Sequence, residues 1–85
     1  MIFKEICFTK TRLDNQDAVK VVQRTMRYDS EITLEHGTRK INAKSIMGIV
    51  SMGLKGGDKL TVLAAGDDEK AAVEDIAALL TGMEG

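Results

Sequence analysis

Glu31-Ile32-Thr33-Leu34-Glu35-His36-Gly37-Thr38-Arg39-Lys40-Ile41 is the stretch that decides the fold class. Glu31 to Glu35 alternates polar and apolar side chains, the period-two pattern of a strand with one solvated face and one buried face. His36-Gly37 is a hairpin signal, since glycine accepts the positive φ of a tight turn, and Thr38 to Ile41 reads as the returning strand. A hairpin pairs its strands antiparallel, so this sheet needs an apolar cover on one side only.

The residues upstream supply part of that cover. Asp14 is a preferred N-cap, and Asp17 adds negative charge to the first turn, where the helix dipole favours it. Ala18, Val21, Val22, Thr25 and Met26 then recur at helical spacing and predict one core-facing stripe. Gln16, Lys20, Gln23, Arg24 and Arg27 take the wet side, and Tyr28-Asp29-Ser30 breaks the helix. Earlier still, Thr9 to Leu13 has no pattern and reads as a loop. Ile2 to Phe8 reads as a strand with Ile2, Ile6 and Phe8 on one face, interrupted by Lys4.

Downstream, Ser45 is a preferred N-cap and Gly53 a plausible residue just past a helix end. The helix between them spans about two turns at ~3.6 residues per turn. Ile46, Met47, Ile49, Val50 and Met52 are too many apolar residues for so short an element to hide, so some of them should stay at the surface. Gly56-Gly57-Asp58 marks a turn, and Lys59 to Ala65 is a strand that is apolar on most of both sides. Gly66-Asp67-Asp68-Glu69 opens a last helix with Ala72, Val73, Ile76, Leu79 and Leu80 inward, and Gly82 stops it. The order β-α-β-β-α-β-α predicts a two-layer α+β fold, a four-stranded antiparallel sheet with three helices on one face.

Composition bounds what such a chain can do. Eighty-five residues suit a single domain, residues 1–85, and such a domain buries roughly 60–65% of its unfolded surface. Apolar residues are 44% and charged residues 29%, with a net charge of −1. No basic block is dense enough to hold nucleic acid. One cysteine (Cys7) and one histidine (His36) leave no disulfide and no metal cluster, so neither a metal nor another cofactor is expected. Lys4 and Glu5 interrupt the first apolar stretch, which therefore lacks the core of a signal peptide. No run reaches the ~18 apolar residues of a membrane span, and the expected location is the cytoplasm.

Little in the chain looks catalytic, and no enzyme is expected. His36 lies on a hairpin, far in sequence from Cys7 and from the serines, so no nucleophile has a base. Gly53-Leu54-Lys55-Gly56-Gly57 lacks the order of a phosphate-binding loop and does not lead from a strand into a helix. Two helix starts are suited to anions. Asp14 supplies its own anion at the first. Ser45, beside Lys44, offers a hydroxyl at the second, where a phosphoryl group would bring about −2 charge. The plainer role for Ser45 is a cap contributing roughly 1 kcal/mol.

Ile41-Asn42-Ala43-Lys44-Ser45-Ile46-Met47-Gly48-Ile49-Val50-Ser51-Met52-Gly53 closely resembles the regulatory-serine segment of HPr, the phosphocarrier family of the bacterial sugar phosphotransferase system. Tyr28-Asp29-Ser30-Glu31-Ile32 and the closing Ala64-Ala65-Gly66-Asp67-Asp68-Glu69 resemble HPr as well, so that the similarity runs from about Ile2 to Gly82. The resemblance implies the HPr-like open-faced β-sandwich. It also implies a serine at position 45 phosphorylated by HPr kinase/phosphorylase, and a phosphoserine form that binds a CcpA-like transcription regulator. Lys44 would assist recognition, and Ile46, Met47 and Ile49 would form the docking patch for these and other HPr-binding proteins.

The family's other motif, Gly-Ile-His-Ala-Arg-Pro-Ala, is not present. Arg12-Leu13-Asp14-Asn15-Gln16-Asp17-Ala18 occupies its place, with Asp14 at the histidine position, Gln16 at the arginine position and Asp17 at the proline position. No imidazole is left to carry a phosphoryl group and no guanidinium to hold it, while two carboxylates repel an incoming anion. Asp14 carries about one negative charge where a phosphohistidine carries about two, and so could act as a partial mimic. Loss of the histidine with retention of the serine is similar to the Crh-like members of the family, in which glutamine rather than aspartate replaces it. The expectation is a regulatory binding protein switched at Ser45. Two alternatives stand beside it: a phosphotransferase-system phosphocarrier component, and an unphosphorylated decoy that occupies HPr partners.

Overall fold

Residues 1–83 are described by the computed structural model, and the elements follow the order expected from the sequence. They are β1 (Ile2–Cys7), α1 (Asn15–Thr25), β2 (Glu31–His36), β3 (Arg39–Asn42), α2 (Ile46–Ser51), β4 (Lys59–Ala65) and α3 (Glu69–Thr81). The strands form one antiparallel sheet in the order β1-β4-β2-β3. β4, late in the chain, is thereby inserted between β1 and β2. Its near-continuous apolar run suits a strand with neighbours on both sides.

Register separates the two faces of the sheet. Ile6 pairs with Leu60, Leu34 with Val62 and Ile32 with Ala64, and all six are buried beneath the helices. The intervening rows, Phe3 opposite Leu63 and Glu35 opposite Thr61, lie on the uncovered face. This is the open-faced α+β sandwich that the pattern of Glu31 to Glu35 demands. Phe8, Leu54, Ile76 and Leu80 complete a core in which each fully buried side chain contributes about 1.5–3 kcal/mol.

Two expectations about α1 need correction. The helix ends at Thr25, so Met26 falls at the C-cap and is 66% exposed, and Val22 is only half-buried. Thr25, a member of the expected stripe, is fully buried, its hydroxyl donating to the carbonyls of Val22 at 2.8 Å and Ala43 at 3.3 Å. The hairpin also differs slightly. His36 is the last residue of β2, paired with Arg39, and Gly37 at φ 63° makes the turn. His36 is thus half-buried, with Nε2 3.7 Å from a carboxylate oxygen of Asp58.

The entry to α3 is fastened to the end of the α1–β2 turn. Asp68 accepts from the backbone N–H groups of Asp29 and Ser30, both at 2.9 Å, and from the Ser30 hydroxyl. Those bonds, the Ser30 hydroxyl foremost, hold its carboxyl below the usual carboxylate range. Gly66 is needed for the close approach. A Cβ there would lie 2.6 Å from the Ser30 hydroxyl oxygen, and its φ of 152° is one that other residues rarely adopt.

Candidate functional site

Asp14 and Ser45, the residues at the two helix starts singled out in the sequence, both cap their helices. Asp14 has extended backbone and accepts from the Asp17 N–H at 2.8 Å, while the Asp17 carboxylate accepts in return from the Asp14 N–H at 3.1 Å. This is a capping box built with aspartate in the third position. The Lys10 ammonium closes it, 2.5 Å from Asp17 and 3.4 Å from Asp14. Asp17 is 4% exposed, and Lys10 is what makes its burial tolerable. The Asp17 N–H, helped by Lys10, holds the Asp14 carboxyl below its ordinary value, and the bond to Asp17 raises the Lys10 ammonium above its own.

The start of α1 is therefore occupied by the chain's own carboxylates. Asp14 and Asp17 do more than repel an anion, because they already engage the Asp14 and Asp17 N–H groups and the Lys10 ammonium. The sequence reading missed Lys10. A lysine four residues before one acid and seven before another was the available signal, but it lies in a stretch without periodicity. Gln16 is exposed, and no hydrogen bond of its side chain is observed among the described residues.

At α2, the Asn42 side chain accepts from the Lys44 N–H at 2.9 Å and the Asn42 carbonyl from the Ser45 N–H at 3.0 Å. This turn delivers Ser45 in extended conformation to the helix start, where its hydroxyl oxygen accepts from the Gly48 N–H at 3.1 Å. The Lys44 ammonium donates to the Tyr28 carbonyl at 2.8 Å and so ties the turn to the end of α1, rather than standing free over Ser45. Arg39, also unforeseen, closes the other end of α2 by donating to the Ser51 carbonyl at 2.6 Å and to its hydroxyl at 3.1 Å.

Part of the expected docking patch is confirmed as a surface and part is not. Met47 is 83% exposed and Ile46 43%. Ile49 is fully buried, together with Met52, because the inward side of α2 packs into the core; Ile49 is removed from the patch. Val50, one turn beyond Ile46, takes its place at 38% exposure, and Val19 of α1 at 37% stands across from it. Asn15, Val19, Ile46, Met47, Val50 and Ser51 line one apolar groove of about 380 Å³ between α1 and α2.

The geometry is that of a small binding surface, with a capped serine beside an apolar groove and a self-occupied helix start at its edge. The family profile for the "PTS HPr component phosphorylation site" matches residues 8–82. The chain belongs to the HPr family. The HPr-like protein Crh of Bacillus subtilis (strain 168) is 42% identical over 69 residues, 81% of each chain. Among solved structures, the phosphocarrier protein HPr of Bacillus anthracis str. Ames superposes with a TM-score of 0.88 at 32% identity, covering 93% of this chain and 95% of that one. The crystal structure of Bacillus subtilis Crh gives a TM-score of 0.77 at 37% identity, over 94% and 93% of the two chains. This HPr-family protein is thus Crh-like, with the regulatory or phosphocarrier role of that family. Among its described residues no helix is long and apolar enough to cross a membrane, and no cluster of His, Cys, Asp and Glu could hold a metal ion.

Proposed function

We propose that this protein is a cytoplasmic regulator of the Crh type, phosphorylated on Ser45 by HPr kinase/phosphorylase and acting by binding partners, a CcpA-like transcription regulator among them. It is a binding protein and not an enzyme, and it does not relay phosphoryl groups through histidine. The observation that carries this reading is the Asp14–Asp17–Lys10 box. The residue at the family's histidine position caps its own helix, and the Asp17 N–H and the Lys10 ammonium beside it are already engaged. His36 offers no substitute, since it sits at the end of β2 facing Asp58.

Ser45 remains the residue suited to carry a signal. It is half-buried at the rim of the groove, next to Ile46 and Met47, so a charged group on it alters the surface a partner meets. Intact mass after incubation with ATP and HPr kinase/phosphorylase, with Ser45→Ala as control, is the test. A single phosphoryl gain that the control lacks is expected. Phosphoenolpyruvate with Enzyme I should leave the mass unchanged, and a stable gain there would restore the phosphocarrier reading. No gain with either kinase system would leave the decoy reading, in which the bare groove does the binding.

A further inference from the structure

The uncovered face of the sheet carries a pattern that the site at α2 does not use. Such a face is ordinarily polar. Phe3 of β1 nevertheless stands on it at 65% exposure, directly opposite Leu63 of β4. Leu63 in turn faces Thr33 of β2, so the three make one row across the sheet. Glutamates bracket that row on the diagonal. Glu5 lies one row to one side, paired with Thr61, and Glu31 one row to the other, paired with Ala65. A third, Glu35, flanks Thr61 on β2 and is 3.4 Å from the Lys40 ammonium. Glu5 and Glu31 are exposed and form no salt bridge among the described residues. Between Glu31, Thr33 and Leu63 the face is hollowed by about 180 Å³.

We propose that this face receives an extended protein segment with an apolar side chain at its centre and a basic residue two positions to either side. The apolar side chain lies against Phe3 and Leu63, and the two cations meet Glu5 and Glu31. The spacing agrees. With strands ~4.8 Å apart and a rise of ~3.4 Å per residue, the Cα atoms of Glu5 and Glu31 are about 16–17 Å apart. Residues i, i+2 and i+4 of an extended chain share one side and span about 13–14 Å, a difference that two lysine side chains cover. A second copy of this chain fits poorly. A two-fold axis along the strands through Leu63 lays Glu5 over Glu35, and one across them lays Glu35 over Glu31. Nucleic acid and an anionic membrane meet the same unpaired carboxylates and are repelled. The face lies on the far side of the sheet from α2 and Ser45, so the inference goes beyond the function proposed above, and both surfaces can be occupied at once.

The test is an NMR titration of the isotope-labelled protein with three capped peptides, Lys-Thr-Leu-Thr-Lys, Gln-Thr-Leu-Thr-Gln and Glu-Thr-Leu-Thr-Glu. The basic peptide should bind about three- to ten-fold more tightly than the neutral one at low salt, with that advantage lost at high salt. Its shifts should fall on the amides of Phe3, Glu5, Thr33 and Leu63. The Glu5→Gln, Glu31→Gln double variant should erase the preference and leave neutral-peptide binding intact. Phe3→Ala should weaken all three peptides while its thermal midpoint stays near the parent's. Equal affinities, a preference that survives the double variant, shifts confined to α1 and α2, or no binding by any peptide overturns the inference. So does sedimentation that finds the free protein self-associated and Phe3→Ala monomeric, since a second copy would then be the occupant.

Discussion

Ile49→Ala and Met47→Ala truncate neighbouring side chains of the same short helix, and their effects should diverge sharply. Ile49 is fully buried, and alanine removes three carbons worth about 0.8 kcal/mol each on transfer from water. The cavity left behind brings the total to about 2–5 kcal/mol. A chain of this length is stable by only about 4–13 kcal/mol at the usual value per residue, so the loss is a large share of the whole. Each kcal/mol moves the midpoint of a small domain by about 4–8 °C, which places the Ile49 variant about 8–40 °C below the parent. Met47, 83% exposed, should cost less than about 0.5 kcal/mol. Urea unfolding followed by circular dichroism measures both, provided the three proteins share one slope. Under folding conditions Met47→Ala should lose partner binding and Ile49→Ala should keep it. A cost below about 1 kcal/mol for Ile49, or above it for Met47, would refute the division of α2 into a core side and a docking side.

Three further outcomes are expected. Ser45→Ala loses the bond to the Gly48 N–H and about 1 kcal/mol with it, whereas Ser45→Asp keeps a capping oxygen and stays near the parent in a thermal melt. Gly48→Ala should gain roughly 0.5–1 kcal/mol of helix propensity, since a new Cβ would meet Ile41 and Ser45 at 3.4 Å; a lower midpoint would show that this contact does not yield. Stability should decline below about pH 4. Asp14 and Asp68 have folded values below their ordinary 3.8, so their contribution is present above that value and is lost as pH falls through the folded one. In an acid series of urea midpoints, Asp14→Asn should flatten part of that decline.

The order and type of every element were legible in the sequence, because the polar–apolar period marks the strands and the two longer helices, and Ser45 and Gly53 bracket α2. Alternation in Glu31 to Glu35 and the run from Lys59 to Ala65 fixed the strands, and Asp14 and Ser45 opened α1 and α2 where the structure has them. What escaped was set by tertiary context. Met26 continues the apolar stripe on paper, but the chain leaves the helix at Thr25 and turns Met26 to solvent. Ile49 looked like one more member of an apolar patch, since six residues are too few to fix which side of a helix meets the core. Lys10 and Arg39 act through loop geometry rather than periodicity. Lys10 reaches two carboxylates across the entry to α1, and Arg39 crosses from β3 to the end of α2. The isolated antiparallel bridge between Arg12 and Lys55 joins two segments that each read as loop, and nothing local to either announces the other.

The strand order β1-β4-β2-β3 also bears on how the chain is made. Ile2 pairs with Ala64, so the first strand leaves the ribosome long before its only neighbour exists. At about 5–20 residues per second, that interval is about 3–12 s, with an apolar strand carrying unpaired backbone groups along both sides. Its guard is local. Lys4 and Glu5 set opposite charges in the middle of Ile2 to Cys7, on the two faces of the strand, where they discourage pairing with a stray chain. Docking of β1 must then come late, after the β2–β3 hairpin and the strand that completes the sheet. The nascent first strand waits on this long-range pairing, and that wait is the time in which a chaperone or a second nascent chain can find it.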